Sequence, residues 1–178
     1  MSEIVTLIRD KRVFSIDPPT ARDIDDALSI ERVKDDLFKV AVHIADVSHF
    51  VKPHSVLDAE AQSRTTSVYL VQRVIPMLPE VLSSHLCSLQ PDEDRLAFSV
   101  TWEMTKAGEV VSHDFGKSII RSCAKLAYGH AQSAIEDPSV PQPENVSIHG
   151  DHTWEEVCTP PLMFSISLSI LSRSRKTY

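Results

Sequence analysis

Two segments of this chain alternate apolar and other residues with a period of two, and this pattern constrains the fold most. Leu96, Phe98, Val100, Trp102 and Met104 alternate strictly; Phe38, Val40, Val42 and Ile44 alternate with Lys39, Ala41 and His43. Successive side chains of a strand point to opposite faces, so both segments read as half-buried β-strands. Turn residues punctuate them. Asp35-Asp36 precedes the first, and Lys106-Ala107-Gly108-Glu109 leads the second into a partner strand over Val110 to Ile120. Val13 to Asp17 is a further strand, ending in a loop at Pro18-Pro19, and Ala27 to Ile30 is another. A hairpin between these strands would return Asp17 and Asp26 to one end of a sheet.

Helical signals are sparser. Ser55 stands three residues before Asp58, a capping-box-like start for a helix over Leu57 to Arg64. Pro76 and Pro79 interrupt the apolar stretch Val74 to Leu89, so extended chain should give way there to short helices. Ser122 is expected to cap a helix continuing through Tyr128 to Ile135, and Thr153 to Val157 begins another. Phe164 to Ile170 alternates perfectly and reads as a strand with no visible partner. The expected fold class is α+β, a mixed, largely antiparallel sheet with flanking helices.

Composition narrows the function classes. With 178 residues and 42% hydrophobic content the chain can bury a core, and disorder throughout is excluded. A formal net charge of −7 argues against a free-standing nucleic-acid clamp, which needs a basic surface. It does not exclude a nucleic-acid enzyme, because metal-binding carboxylates lower the count. Cys87, Cys123 and Cys158 are scattered and odd in number, without zinc-ligand spacing or a disulfide framework. A reducing, cytoplasmic setting is expected. No signal peptide is evident in the charged N-terminus, and no stretch is long enough to span a bilayer.

The chemistry concentrates in Asp17, Asp23, Asp25 and Asp26, four carboxylates within ten residues. Like charges repel, and such a cluster is tolerable mainly when a divalent cation neutralises it. Oxygen-only ligands favour magnesium, with manganese as the alternative, over zinc. Any single aspartate near proline is ordinary loop chemistry; four together between strand-forming runs favour a phosphate-directed metal site. An EF-hand fits badly. Counted from Asp23, Leu28 occupies the position of the required glycine, and Lys34 that of the final glutamate. With four glycines and no GxxxxGK[ST] run, no phosphate cradle is evident.

The stretch Asp17 to Leu28 closely resembles the signature of the ribonuclease II family, the RNB-domain exoribonucleases. Further blocks follow in order: Val42-His43-Ile44-Ala45-Asp46-Val47-Ser48, Thr66-Ser67-Val68-Tyr69-Leu70, Ile75-Pro76-Met77-Leu78-Pro79, Leu86-Cys87-Ser88-Leu89, Ile119-Ile120-Arg121-Ser122-Cys123 and Lys125-Leu126-Ala127-Tyr128. The resemblance runs from Val13 to about Glu156. It implies a partial RNB catalytic domain over 13–157, preceded by a segment 1–12 and followed by an unrelated tail, 158–178. Within the family the chain is most similar to the cytoplasmic, exosome-independent paralogue of the eukaryotic exosome's catalytic subunit.

The resemblance implies magnesium-dependent hydrolysis of single-stranded RNA, including uridylated RNA, from the 3′ end to nucleoside 5′-monophosphates. Asp17 and Asp26 match the family's metal ligands. Asp25 matches the aspartate needed for hydrolysis, and Asp23 the fourth acidic residue, which holds metal or water. Tyr69 and Tyr128 match aromatic positions along the RNA 3′ end, where stacking tolerates any base. Without the resemblance, a packed tyrosine with a bonded hydroxyl is an equal reading of either residue. His43 and Asp46 fit a structural role better than direct chemistry. Arg121 and Lys117 could contact phosphate or simply be solvated. The resemblance implies no stable protein partner. The family's downstream Arg-Ala-x-Tyr-Ser motif does not occur in this sequence. The competing expectation is therefore a truncated, catalytically silent fragment that binds RNA or protein, or is unstable.

Overall fold

The computed structural model describes residues 5–158. Five strands close into a barrel: β1 (Thr6–Asp17), β2 (Asp26–Lys34), β3 (Leu37–Ala45), β6 (Asp94–Thr105) and β7 (Val110–Ala127), in that order around the sheet. The short strands β4 (Val68–Tyr69) and β5 (Val74–Ile75) form a separate antiparallel pair. The helices are α1 (Val47–Phe50), α2 (Val56–Arg64), a π-helical turn over Val81–Leu86, α3 (Tyr128–Glu136) and α4 (Trp154–Cys158). Among the described residues no helix is long and apolar enough to cross a membrane.

The sheet is mixed and largely antiparallel, as expected, with a closure that local periodicity does not reveal. β1 pairs antiparallel with β2 and parallel with β7, from Thr6↔Ser118 to Asp17↔Ala127. That parallel seam lengthens two elements. The strand expected over Val13 to Asp17 begins at Thr6, and the strand expected to stop at Ile120 continues to Ala127. Ser122 is consequently not a helix cap. It is buried in β7 where the register shifts, and its hydroxyl donates to the Ala124 carbonyl at 3.1 Å. α3 starts only at Tyr128. The other local signals hold: the Ser55 hydroxyl accepts the Asp58 amide at 3.1 Å at the start of α2. The alternating segment 164–170 lies outside the described residues.

Side-chain alternation divides the barrel into layers. At one end of the lumen Val13, Ala27, Ala45, Ala97 and Ile120 meet Ile24, Leu82, Cys87 and Leu89 in an apolar plug. Further along, His43, Ser99 and Ser118 are buried on the same inward face, beside an open cavity of about 800 Å³ lined by all five strands. The apolar stripe of β6 lies on the opposite face. There Met104 packs with Ile30, Phe38 and Val40, while Phe98 is exposed against Phe115 with ring centroids 6.2 Å apart. A third cluster covers β1 and β7 with α3 and α4: Phe14, Ala124 and Leu126 against Ala131, Ala134, Trp154, Val157 and Cys158.

Candidate active site

The barrel brings two of the four aspartates together through strand pairing. Asp17 ends β1, and Asp26 begins β2, where it pairs with Ile44 of β3. Antiparallel pairing of β1 with β2, through Phe14↔Leu28, sets these ends side by side. Between them residues 18–25 form no strand or helix. The loop opens with a turn in which the Ala21 amide donates to the Pro18 carbonyl at 3.0 Å. Pro19 presets the φ of the second turn position.

Distant parts of the chain fix this loop. Lys125 Nζ donates to the Ala21 carbonyl at 2.5 Å. The Ser88 hydroxyl donates to the Arg22 carbonyl at 2.8 Å and accepts the Ile24 amide at 3.0 Å. The Leu89 amide donates to the Ile24 carbonyl, and the Ala45 amide to the Asp25 carbonyl, each at 2.9 Å. The Ile24 side chain is fully buried in the apolar plug and anchors the loop hydrophobically.

Electrostatics show a crowded anionic cluster. Burial pushes the Asp17 carboxyl up; Ser15 opposes this, Asp26 and Asp25 raise it further, and Lys125 offsets part of the effect. Asp25 is raised by burial and then by Asp23 and Asp26, and Asp26 is raised by burial. Asp17 Oδ2 and Ser15 Oγ are buried and neither completes a hydrogen bond, so the nearby hydroxyl does not satisfy the carboxylate. Orphaned buried polar atoms are rare and call for an explanation such as an ion. Buried charge without a partner is costly. The all-oxygen donor set and the orphaned Asp17 oxygen thus fit a hard divalent cation. The four groups are electrostatic neighbours, yet among the described residues no three acidic, histidine or cysteine side chains form a ready-made cage.

The tyrosines sit at the same sheet end. Tyr69, on β4 and 65% exposed, donates its hydroxyl to Asp23 Oδ2 at 2.5 Å. That bond, chiefly, pushes the phenol up to about 12. Tyr128 is 62% exposed and follows Ala127, the register partner of Asp17. Both rings are therefore open to a ligand. His43 is buried in the lumen, and Asp46 caps α1 by accepting the Ser48 hydroxyl at 2.6 Å and the His49 amide at 3.2 Å. Both arrangements are structural. Of the two cations considered for phosphate, Arg121 pairs with Asp94 at 3.0 Å and Lys117 stands 3.5 Å from Asp46. Ser88 and Lys125 fell within the family blocks, but no local signal revealed that they hold the aspartate loop.

Asp17 and Asp26 thus end paired strands, Asp23 and Asp25 lie on the loop between them, and Tyr69 bonds to Asp23; the RNB domain family model matches residues 5–170 of this chain. The chain belongs to that family. It is 52% identical over 152 residues to DIS3-like exonuclease 2 of Xenopus tropicalis, covering 84% of this chain and 18% of the relative. It is 50% identical over 151 residues to an Arabidopsis thaliana protein named inactive exonuclease DIS3L2, covering 84% of this chain and 14% of that one. Mycoplasma genitalium RNase R in complex with ribose methylated single-stranded RNA is similar with a TM-score of 0.79 at 26% identity, over 97% of this chain and 25% of that one. The chain thus spans less than a fifth of the length of these two curated relatives.

Proposed function

We propose that this chain carries the acidic part of a 3′-to-5′ exoribonuclease site acting on single-stranded RNA, with nucleoside 5′-monophosphates as product. The orphaned Asp17 Oδ2 among neighbouring carboxyls of raised proton affinity carries this reading. Asp17 and Asp26, fixed by the barrel, would hold magnesium or manganese. Bound there, the cation would polarise a phosphodiester oxygen and lower the pKa of a coordinated water. Asp25 takes the role of the carboxylate needed for hydrolysis, and Asp23, held by Tyr69, that of the fourth acidic group. The exposed rings of Tyr69 and Tyr128 would stack on bases near the 3′ end. The RNA-bound RNase R neighbour and the exonuclease names of the relatives support this reading. A cytoplasmic location belongs to it, and imaging of the tagged chain in cells checks that location.

A second reading has its own support. The inactive Arabidopsis relative is as similar as active-named ones. On that reading the chain binds metal and RNA without turnover. Labelled single-stranded RNA incubated with the chain and magnesium separates the two. Stepwise shortening from the 3′ end that Asp25→Asn abolishes is the expected result. Intact RNA in the presence of soluble, folded, metal-loaded protein would establish the silent fragment instead.

A further inference from the structure

Ser88 is fully buried, and its side chain reaches a loop 66 residues away. A hydroxyl has one hydrogen to give and two lone pairs. Ser88 uses all three: it donates to the Arg22 carbonyl at 2.8 Å and accepts the Ile24 amide at 3.0 Å and Gln90 Nε2 at 2.9 Å. Its first two partners are the peptide groups on either side of Asp23. Gln90 Nε2 also reaches the Arg22 carbonyl at 2.9 Å, and Arg95 Nε holds the Ser88 carbonyl at 2.8 Å. The node is thus tied to the barrel and saturated, and saturated buried networks fix a unique geometry.

This connection divides the site into two halves with different supports. Asp17 and Asp26 are oriented by strand pairing. Asp23 and Asp25 lie on a loop without secondary structure, whose backbone direction at 22–24 is set by Ser88 and the neighbouring Leu89 amide. We propose that Ser88 is a positioning residue for the cation site, aiming Asp23 and Asp25 toward Asp17 and Asp26 without touching substrate or metal. The inference rests on the proposed function, in which these carboxylates hold a divalent cation.

The test is Mn²⁺ binding to the full chain, followed by electron paramagnetic resonance of the free ion. Each variant is first checked for fold by near-ultraviolet circular dichroism. Ser88→Ala should weaken Mn²⁺ binding by ~10- to 100-fold, the range for groups that orient metal ligands. Ser88→Thr, which restores the hydroxyl, should recover most of it. In an Asp23→Asn/Asp25→Asn background Ser88→Ala should add little, because both carboxylates it positions are already gone. Should Ser88→Ala not fold, the nearly isosteric Ser88→Cys takes its place, with an expected loss of at least several-fold.

A lowered melting point with Mn²⁺ affinity unchanged in the folded variants would reduce Ser88 to a structural role and overturn the inference alone. Wild-type protein that fails to bind Mn²⁺ saturably would overturn the proposed function, and Ser88's role with it.

Discussion

His43 should make this barrel sensitive to mild acid, by an amount the structure sets. Its ring is fully buried; Nε2 lies 2.9 Å from Ser29 Oγ and Nδ1 2.6 Å from Ser99 Oγ. Ser118 donates to the Ala97 carbonyl at 3.3 Å and is 2.6 Å from Ser99 Oγ. Followed outward from that carbonyl, the chain of donors assigns the proton to His43 Nδ1 and leaves Nε2 to accept from Ser29. A second proton on the ring would disrupt the Ser29 bond and place a charge in the lumen. Burial accordingly lowers the ring from 6.5 to about 4.

Between those two values the unfolded chain binds a proton that the native chain refuses, so stability must rise with pH across that window. At ~1.4 kcal/mol per pH unit, the interval amounts to ~3 kcal/mol. Urea unfolding of wild type and His43→Gln from pH 7 to 4 measures it. The carboxylates oppose the trend, because their raised proton affinity favours the native state in acid, but they are common to both proteins and cancel in the difference. The wild-type advantage over His43→Gln should shrink by ~3 kcal/mol as the pH falls. A difference that stays constant from pH 7 to 4 would refute the buried neutral imidazole.

Three further outcomes follow from the same geometry. Asp26 is raised, so the native state holds its proton more tightly than the unfolded chain, and stability falls as pH rises above 3.8. Asp26→Asn should therefore raise the melting temperature at pH 7 without metal, and on the proposed function magnesium should stabilise wild type but not Asp26→Asn; differential scanning fluorimetry with and without magnesium checks both. Tyr69→Phe removes the hydroxyl bonded to Asp23 but keeps the exposed ring. In EDTA, fluorescence anisotropy should show RNA affinity retained in Tyr69→Phe and lost in Tyr69→Ala, whereas equal losses would deny the ring its stacking role. Leu126 is fully buried between β7 and the helical layer, and Leu126→Ala should cost ~2–5 kcal/mol by urea denaturation.

How much of this was legible in the sequence depended on distance along the chain. β3 and β6 were visible because period-two alternation is local. Period two shows which residues share a face but not which face turns inward. The apolar stripe from Leu96 to Trp102 thus lies opposite the face that buries Ser99 and His43, a polar set that hydropathy would place outside. Closure was hidden because the parallel seam joins residues more than a hundred positions apart, such as Asp17 and Ala127. Ser122 was misread as a cap for the same reason, since serine is a good cap only where no strand partner claims the backbone around it.

The aspartates were legible because their chemistry is packed into ten residues, whereas their supports, Ser88 and Lys125, stand 66 and 104 residues from the carbonyls they hold. This separation has a physical consequence. Repulsion within the cluster is intrinsic to the loop, but the restraint that opposes it comes from the barrel and forms only when the whole sheet has closed. The unfolded chain can let these carboxylates drift apart; the folded chain cannot, and keeps a locally unfavourable arrangement at the expense of its own stability. On the proposed function, a bound cation would remove that conflict in the native state alone, because only there are the carboxylates held together. Metal affinity and fold stability would then be linked in this chain, and each substitution that loosens the loop should trade one against the other.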